Sequence, residues 1–293
     1  MANHIYYAVQ NLQVTPEPDP AASCSLSGTG ICSQGMISAG FSTSAEYTPV
    51  FELGRLAMYD IVDGVTAVEV TVERYLGANG QTLWGTVTGN SLASAISVRP
   101  KVDLVAVDDT QLACPGAPTP VAFLRATGLY ITNFSVNYPL DGAATETMQF
   151  TGTHMDASAN TFADAIKDGT SLAAYSDDGS QVVTRVDLTG GYQSVTANVS
   201  IGREDLFQFG SVAAFHKAPT FPVESTMTFE SLAVGGTAGP AAAGGAASLQ
   251  SFDRVSISSA FLTSSEYTGG SATGGNATIT YTYTGYNDFS CTN

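Results

Sequence analysis

The run Ala67-Val68-Glu69-Val70-Thr71-Val72-Glu73-Arg74-Tyr75-Leu76 constrains the fold more than any other stretch of the chain. Val68, Val70 and Val72 fall on one side and Glu69, Thr71 and Glu73 on the other. That is the period of a strand with one buried face, whereas a helix would scatter the valines around its circumference. Gly77-Ala78-Asn79-Gly80 follows, and Asn-Gly favours the positive φ angles of a tight hairpin. The same alternation predicts strands over 36–45, 94–98, 101–107, 129–138, 145–152, 181–188, 193–201, 223–230, 252–262 and 276–284. One short helix is expected at Thr161–Lys167, with Ser158 or Asn160 as N-cap and Gly169 as its stop. The Gly/Ala-rich stretch from Ala233 to Ala247 reads as a surface loop. The expected class is mainly β with a helical appendage.

Composition narrows the partners. Hydrophobic residues make up 44% of the 293, enough to bury a sizeable core, while only 12% are charged. Ten Lys and Arg against 26 Asp and Glu give a formal charge of −16. Such a field repels nucleic acid and anionic membrane, because phosphate binding needs cationic groups that displace counterions. The N-terminal residues Met1–Tyr7 contain neither a basic patch nor an apolar run of signal-peptide length, and no segment approaches a membrane span. Cys24, Cys32, Cys114 and Cys291 are scattered without metal spacing; they read as thiols in a reducing cytoplasm, although Cys24 and Cys32 bracket a loop that oxidation can bridge.

A weak repeat runs through the chain. At one constant offset Ser44, Phe51, Gly54 and Ala57 meet Ser200, Phe207, Gly210 and Ala213. A strand follows each glycine, Val68–Val72 in the first case and Val223–Met227 in the second, and Asn133–Val136 answers Arg254–Ile257. Each copy presents a strand, an apolar elbow ending at glycine, and a second strand, and glycine accepts a conformation that a side chain resists. Phe51, Gly54, Phe207 and Gly210 are therefore the candidate assembly elbows. The repeat divides the chain into a unit over 1–156 with an extended N-terminal segment, a helical connector over 157–180, and a second unit over 181–293. Ordinary turn glycines give the same pattern.

Catalytic constellations do not emerge. His154 lies beside Asp156 without a second ligand at metal spacing, and His216-Lys217 reads as a loop. Asp108-Asp109, Asp177-Asp178 and Glu204-Asp205 have the character of turns, and no D-x-D-x-D-G series accompanies them. Glycine-rich stretches lack the Lys that completes a phosphate loop. Asn133, Asn198 and Asn276 match the glycosylation sequon, a frequent pattern in Ser/Thr-rich chains. No enzyme activity, cofactor or metal is expected. A sugar-binding surface would need exposed aromatics, and the chain has a single Trp, Trp84, with 13 Tyr.

Phe51-Glu-Leu-Gly-Arg-Leu-Ala-Met-Tyr-Asp, followed by Val68-Glu-Val-Thr-Val-Glu-Arg-Tyr-Leu, resembles the tail tube proteins of tailed bacteriophages. So do Asn137-Tyr-Pro-Leu-Asp-Gly, leading into Thr145–Gly152, and Ser200–Gly210, continuing to Phe221-Pro-Val-Glu. The resemblance implies a β-sandwich or barrel whose sheets join side by side into rings that stack as a conduit for DNA. It admits one enlarged fold in rings of six chains, or two tandem copies in rings of three. Implied partners are further copies of the chain, other tail proteins, and genomic DNA passing without specific binding; the implied location is the virion tail, assembled in the host cytoplasm. Long alternating strands leave edges that a ring can use as joints. The segment Gln13–Cys32, with Pro16, Pro18 and Pro20, is an arm toward a neighbouring ring or a plain loop. A capsid decoration or connector protein, and a carbohydrate-binding β-sandwich, are the competing readings.

Overall fold

The computed structural model describes residues 10–17, 31–32, 36–54, 58–76, 82–107, 120–157, 192–209, 214, 216–233, 247–269 and 277–292. Expectations for the helix at 161–167, the strand at 181–188, the connector, Gly210, Cys24, Cys114, Asp108-Asp109 and Asp177-Asp178 lie outside these residues.

Two sheets dominate. The strands are β1 (Gln10–Glu17), β2 (Ile31–Cys32), β3 (Met36–Phe51), β4 (Met58–Tyr75), β5 (Arg99–Val107), β6 (Pro120–Thr127), β7 (Tyr130–Pro139), β8 (Thr145–Gly152) and β9 (His154–Asp156). There follow β10 (Tyr192–Ser200), β11 (Arg203–Leu206), β12 (His216–Pro219), β13 (Glu224–Leu232), β14 (Ser248–Phe252), β15 (Val255–Thr268), β16 (Thr278–Tyr286) and β17 (Ser290–Cys291). The ten-stranded sheet runs β14-β15-β16-β13-β10-β7-β8-β4-β3, with β17 on β15, and every pairing is antiparallel. The five-stranded sheet runs β2-β1-β5-β6-β9. The fold is mainly β, as the alternation requires, but these sheets do not close on one another, so the barrel alternative gives way to packed open sheets.

Alternation dictates the packing. Val68, Val70 and Val72 of β4, Met148 and Phe150 of β8, Phe134 and Val136 of β7, and Val195 and Val199 of β10 are all buried on one face of the large sheet. Leu12 and Val14 of β1, Val102 of β5 and Ala126 of β6 close the same core from the smaller sheet. The Pro-punctuated N-terminal stretch is therefore partly structural: β1 pairs with β5 through Pro16↔Pro100 and Glu17↔Arg99.

Two helices replace elements read differently from sequence. Helix α1 (Leu83–Thr88) follows β4 after the stretch read as a tight hairpin turn, where no helix was expected. Thr82 caps it, its hydroxyl accepting from Gly85 N–H at 2.9 Å, and Gly89 ends it at φ 62°. Helix α2 (Leu92–Ser97) occupies most of the strand expected over 94–98. Leu92 and Ala95 are buried three residues apart, which is helical spacing; Ile96 and Val98 alone had imitated a strand. The strand expected over 252–262 is in fact β14, a turn at Asp253-Arg254, and β15. Glu204-Asp205 and His216-Lys217, read as turn and loop, lie on the two strands of the β11–β12 hairpin, where Asp205 pairs with Lys217.

The two halves of the large sheet have one design. From its outer edge inward, the first half runs β3-β4-β8-β7; from the junction outward, the second runs β10-β13-β16-β15. In both the first two strands lie side by side and the last two are exchanged. Register matches as well: a shift of 156 positions carries Tyr47↔Asp63 and Val50↔Asp60 onto Arg203↔Pro219 and Leu206↔His216. Shifts of 157 in β4 and 133 in β8 carry Val70↔Phe150 onto Met227↔Tyr283. The irregularity between Ile131 and Asn133 in β7 reappears 131 positions later, between Leu262 and Ser264 in β15. Asn133 thus corresponds to Ser264 and not to Arg254, which corrects the correspondence read from sequence.

Candidate functional site

Among the described residues no group of three or more His, Cys, Asp or Glu side chains is placed to hold a metal ion, and the distinctive features are surfaces. The first is the outer face of the large sheet. Its ten strands contain a single basic residue, Arg74, which points inward, is 4% exposed and lies 3.3 Å from the buried carboxylate of Glu146. The outward positions carry Glu69, Glu73, Glu224, Glu230 and Glu266 among hydroxyls and amides. These side chains bond across strands: Ser38 Oγ donates to Glu73 at 3.1 Å, Asn198 Nδ2 to Asn133 Oδ1 at 3.1 Å, and Ser194 Oγ to Glu230 at 3.0 Å. The result is a broad polar wall of negative sign.

The β11–β12 hairpin borders this wall and, with it, forms a cleft of about 530 Å³ lined by Glu69, Thr71, Asn133, Gln149, Arg203 and Lys217, among others. Both cations there are engaged. Arg203 donates to the carbonyls of Ile131, Ile96 and Ala95 and lies over the Tyr130 ring, and burial lowers its pKa to about 10. Lys217 donates to Asp205 at 2.5 Å. His216 Nδ1 is 3.1 Å from Tyr130 Oη, so this histidine is a packing residue of the hairpin. His154 is exposed on β9, and Asp156 is on the same short strand.

The second surface is the far end of the β3–β4 hairpin. Beyond Ser44 both strands leave the core, and Tyr47, Phe51, Leu53, Met58, Tyr59 and Ile61 are exposed. Phe51 pairs with Met58 at the end of the ladder, and Gly54 sits in the turn at φ 89°. Phe207 follows β11 at the equivalent place, exposed like Phe209. The structure thus puts Phe51, Gly54 and Phe207 at two hairpin tips of matching register. The arm thus carries a patch of solvent-facing apolar side chains.

The third surface is the pair of sheet edges. Among the described residues, β3 is hydrogen-bonded along one side only, by β4, and the Phe261–Thr268 part of β15 along one side only, by β16. Sequence reading located neither edge, since strand order follows from long-range pairing.

Trp84 is fully buried, in ring contact with Phe134 at 5.2 Å and Phe289 at 5.1 Å, and so offers no platform to a sugar. Cys291 is a free, buried thiol whose pKa burial pushes up to about 12.

No family model matches the chain, and no curated protein matches it. Among solved structures, a chain of the anti-feeding prophage baseplate, determined by cryo-electron microscopy with six-fold symmetrisation, is similar over 55% of this chain and 100% of its own length. The identity is 11% and the TM-score 0.39. A likeness of that degree assigns no role.

Proposed function

We propose that this protein is a structural subunit of a phage or phage-like particle, a tail tube protein that assembles with copies of itself into stacked rings. Its role is mechanical and not enzymatic. The observation that carries the reading is a ten-stranded sheet in which, among the described residues, β3 and the Phe261–Thr268 part of β15 are each hydrogen-bonded along one side only, and whose outer face shows no exposed cation. Unpaired edges favour strand addition, which a closed ring satisfies without leaving an end for aggregation. A wall of carboxylates, hydroxyls and amides gives DNA phosphates nothing to hold, so a genome slides past. The recurrence of strand order, register and irregularity supports descent of both halves from one duplicated unit, and three chains then supply six such units to a ring. The apolar arm at Tyr47–Ile61 provides contact between neighbouring copies or rings.

Negative-stain electron microscopy of the purified protein at high concentration tests the reading. Rings or tubes with a central channel, with a ring mass of three chains, are expected. A stable monomer that binds glycans through the exposed Tyr47 and Tyr59 overturns it.

A further inference from the structure

We infer that the outer edge of β3 in one copy pairs antiparallel with Phe261–Thr268 of β15 in the next, with Phe41 opposite Tyr267 and Thr43 opposite Ser265. The inference rests on the self-assembly reading and names the strands and register through which it occurs.

The template for this joint lies inside the chain. Where the two halves of the large sheet meet, β10 pairs with β7 through Ala197↔Val136 and Val199↔Phe134. Strand β3 is the counterpart of β10, 156 positions earlier, and β15 is the counterpart of β7, 131 positions later, as the hairpin registers and the shared irregularity establish. Carrying the internal pairs across by these shifts places Phe41 opposite Tyr267, and Thr43 opposite Ser265. Strand direction agrees. Strands β3 and β15 run antiparallel to each other at opposite ends of the sheet. A copy related by a rotation that preserves strand direction therefore presents an antiparallel edge, giving a head-to-tail contact that can close.

Exposure agrees too. Inside the chain Ala197 is 1% exposed and Val136 is 0% exposed, paired side by side in the core. Their counterparts are larger and uncovered: Phe41 is half-buried and Tyr267 is 53% exposed. A small–small pair within the chain becomes an aromatic pair between copies, a favoured cross-strand combination. A second observation is independent of exposure. Ser265 Oγ is buried without a hydrogen-bond partner, an uncommon state for a hydroxyl. The inferred register sets the Thr43 side chain opposite it on the same face, where the Thr43 hydroxyl completes the bond. The two outer carboxylate faces are continuous across such a joint, since Ser42 and Glu266 also meet on the outward side.

Disulfide trapping of the full chain under mild oxidation reads the register. Phe41→Cys with Tyr267→Cys, and separately Thr43→Cys with Ser265→Cys, should convert most of the protein into covalent multimers ending at three chains, resolved by non-reducing gel. Neither pair can close within one chain, because the two strands lie at opposite ends of one sheet. The mismatched pair Ala39→Cys with Ser265→Cys should trap at least tenfold less. Covalent dimer from Phe41→Cys alone would mean a two-fold β3–β3 contact and would overturn the inference. So would failure of both matched pairs to trap in preparations whose rings are seen by microscopy, a result that leaves the tube reading standing. Trapped trimers that never stack into tubes would keep this joint and defeat the tube reading.

Discussion

Thr132 and Thr263 do the same work in the two halves of the sheet. Each occupies the irregular position of its strand, and each turns its hydroxyl onto a neighbouring carbonyl, Thr132 onto Gln149 at 3.2 Å and Thr263 onto Thr282 at 3.1 Å. The coincidence extends to glycines. A Cβ on Gly152 would meet Leu129 Cδ2 at 2.7 Å and the Gly128 carbonyl at 3.4 Å; one on Gly285 would meet Ile257 Cγ2 at 2.4 Å and the Ser259 carbonyl at 3.4 Å. Repetition at this level is hard to obtain from alternation alone.

Those glycines make a direct prediction. Gly152→Ala and Gly285→Ala push a methyl group into a closed interface, and overpacking of this kind costs about 1–3 kcal/mol. Urea unfolding should show both losses. Gly40→Ala, where nothing lies within 4 Å of the added carbon, should show little.

The buried pair Arg74–Glu146 should respond asymmetrically to mutation. Glu146 also accepts from Leu83 N–H at 2.9 Å, so it ties β8 to the start of α1. Arg74→Met leaves the buried carboxylate without its paired cation and should destabilise by about 3–5 kcal/mol. The double variant Arg74→Met/Glu146→Leu should recover a large part of that loss, as measured by denaturant midpoints.

The same carboxyl sets a pH dependence. Burial pushes Glu146 up to about 7, against the opposing pull of Arg74, the Leu83 N–H and Arg254. Its folded-state pKa thus exceeds the ordinary 4.5, so the native state holds this proton longer than the unfolded state does. The resulting contribution is complete below about 4.5 and lost as pH rises through about 7. Stability measured from about pH 5 to about pH 8 should decline by about 3 kcal/mol at most from this group, and Glu146→Gln should remove that part of the slope.

The arm should matter to assembly more than to folding. Leu53 is fully exposed, so Leu53→Ser should change stability by no more than about 0.5 kcal/mol. Gly54→Val forces a β-branched residue to φ 89° and should cost about 1–2 kcal/mol. Both should reduce the assembled fraction in sedimentation. Wild-type assembly by both would remove the arm from the contact.

Cations placed on the outer wall should convert a sliding surface into a binding one. Thr71→Lys, Gln149→Lys and Thr228→Lys lie at outward positions of β4, β8 and β13. Together they should make assembled protein retain duplex DNA at low salt. Each phosphate contact should add about −0.9 to the slope of log affinity against log salt. Unchanged DNA retention would place this wall away from the DNA path.

The sequence by itself determined the buried faces of the central strands. The valines of β4 and the apolar positions of β7, β8, β10 and β13 were legible because a period of two is a local property, decided between neighbours in the chain. The Phe51/Phe207 match was legible as a constant offset between two stretches of the chain. What only the tertiary structure decided is non-local. Helices α1 and α2 form where β-branched and small residues gave no helical signal, because the core takes Trp84, Leu92 and Ala95, and because Glu146, far along the chain, accepts from Leu83 N–H. Strand order belongs to the same class: the first-half strand β7 pairs with the second-half strand β10, which leaves β3 and the Phe261–Thr268 part of β15 as open edges among the described residues. Alternation tells a strand which way to face and says nothing of which strand lies beside it, so the two edges through which copies are inferred to join became visible only in the folded sheet.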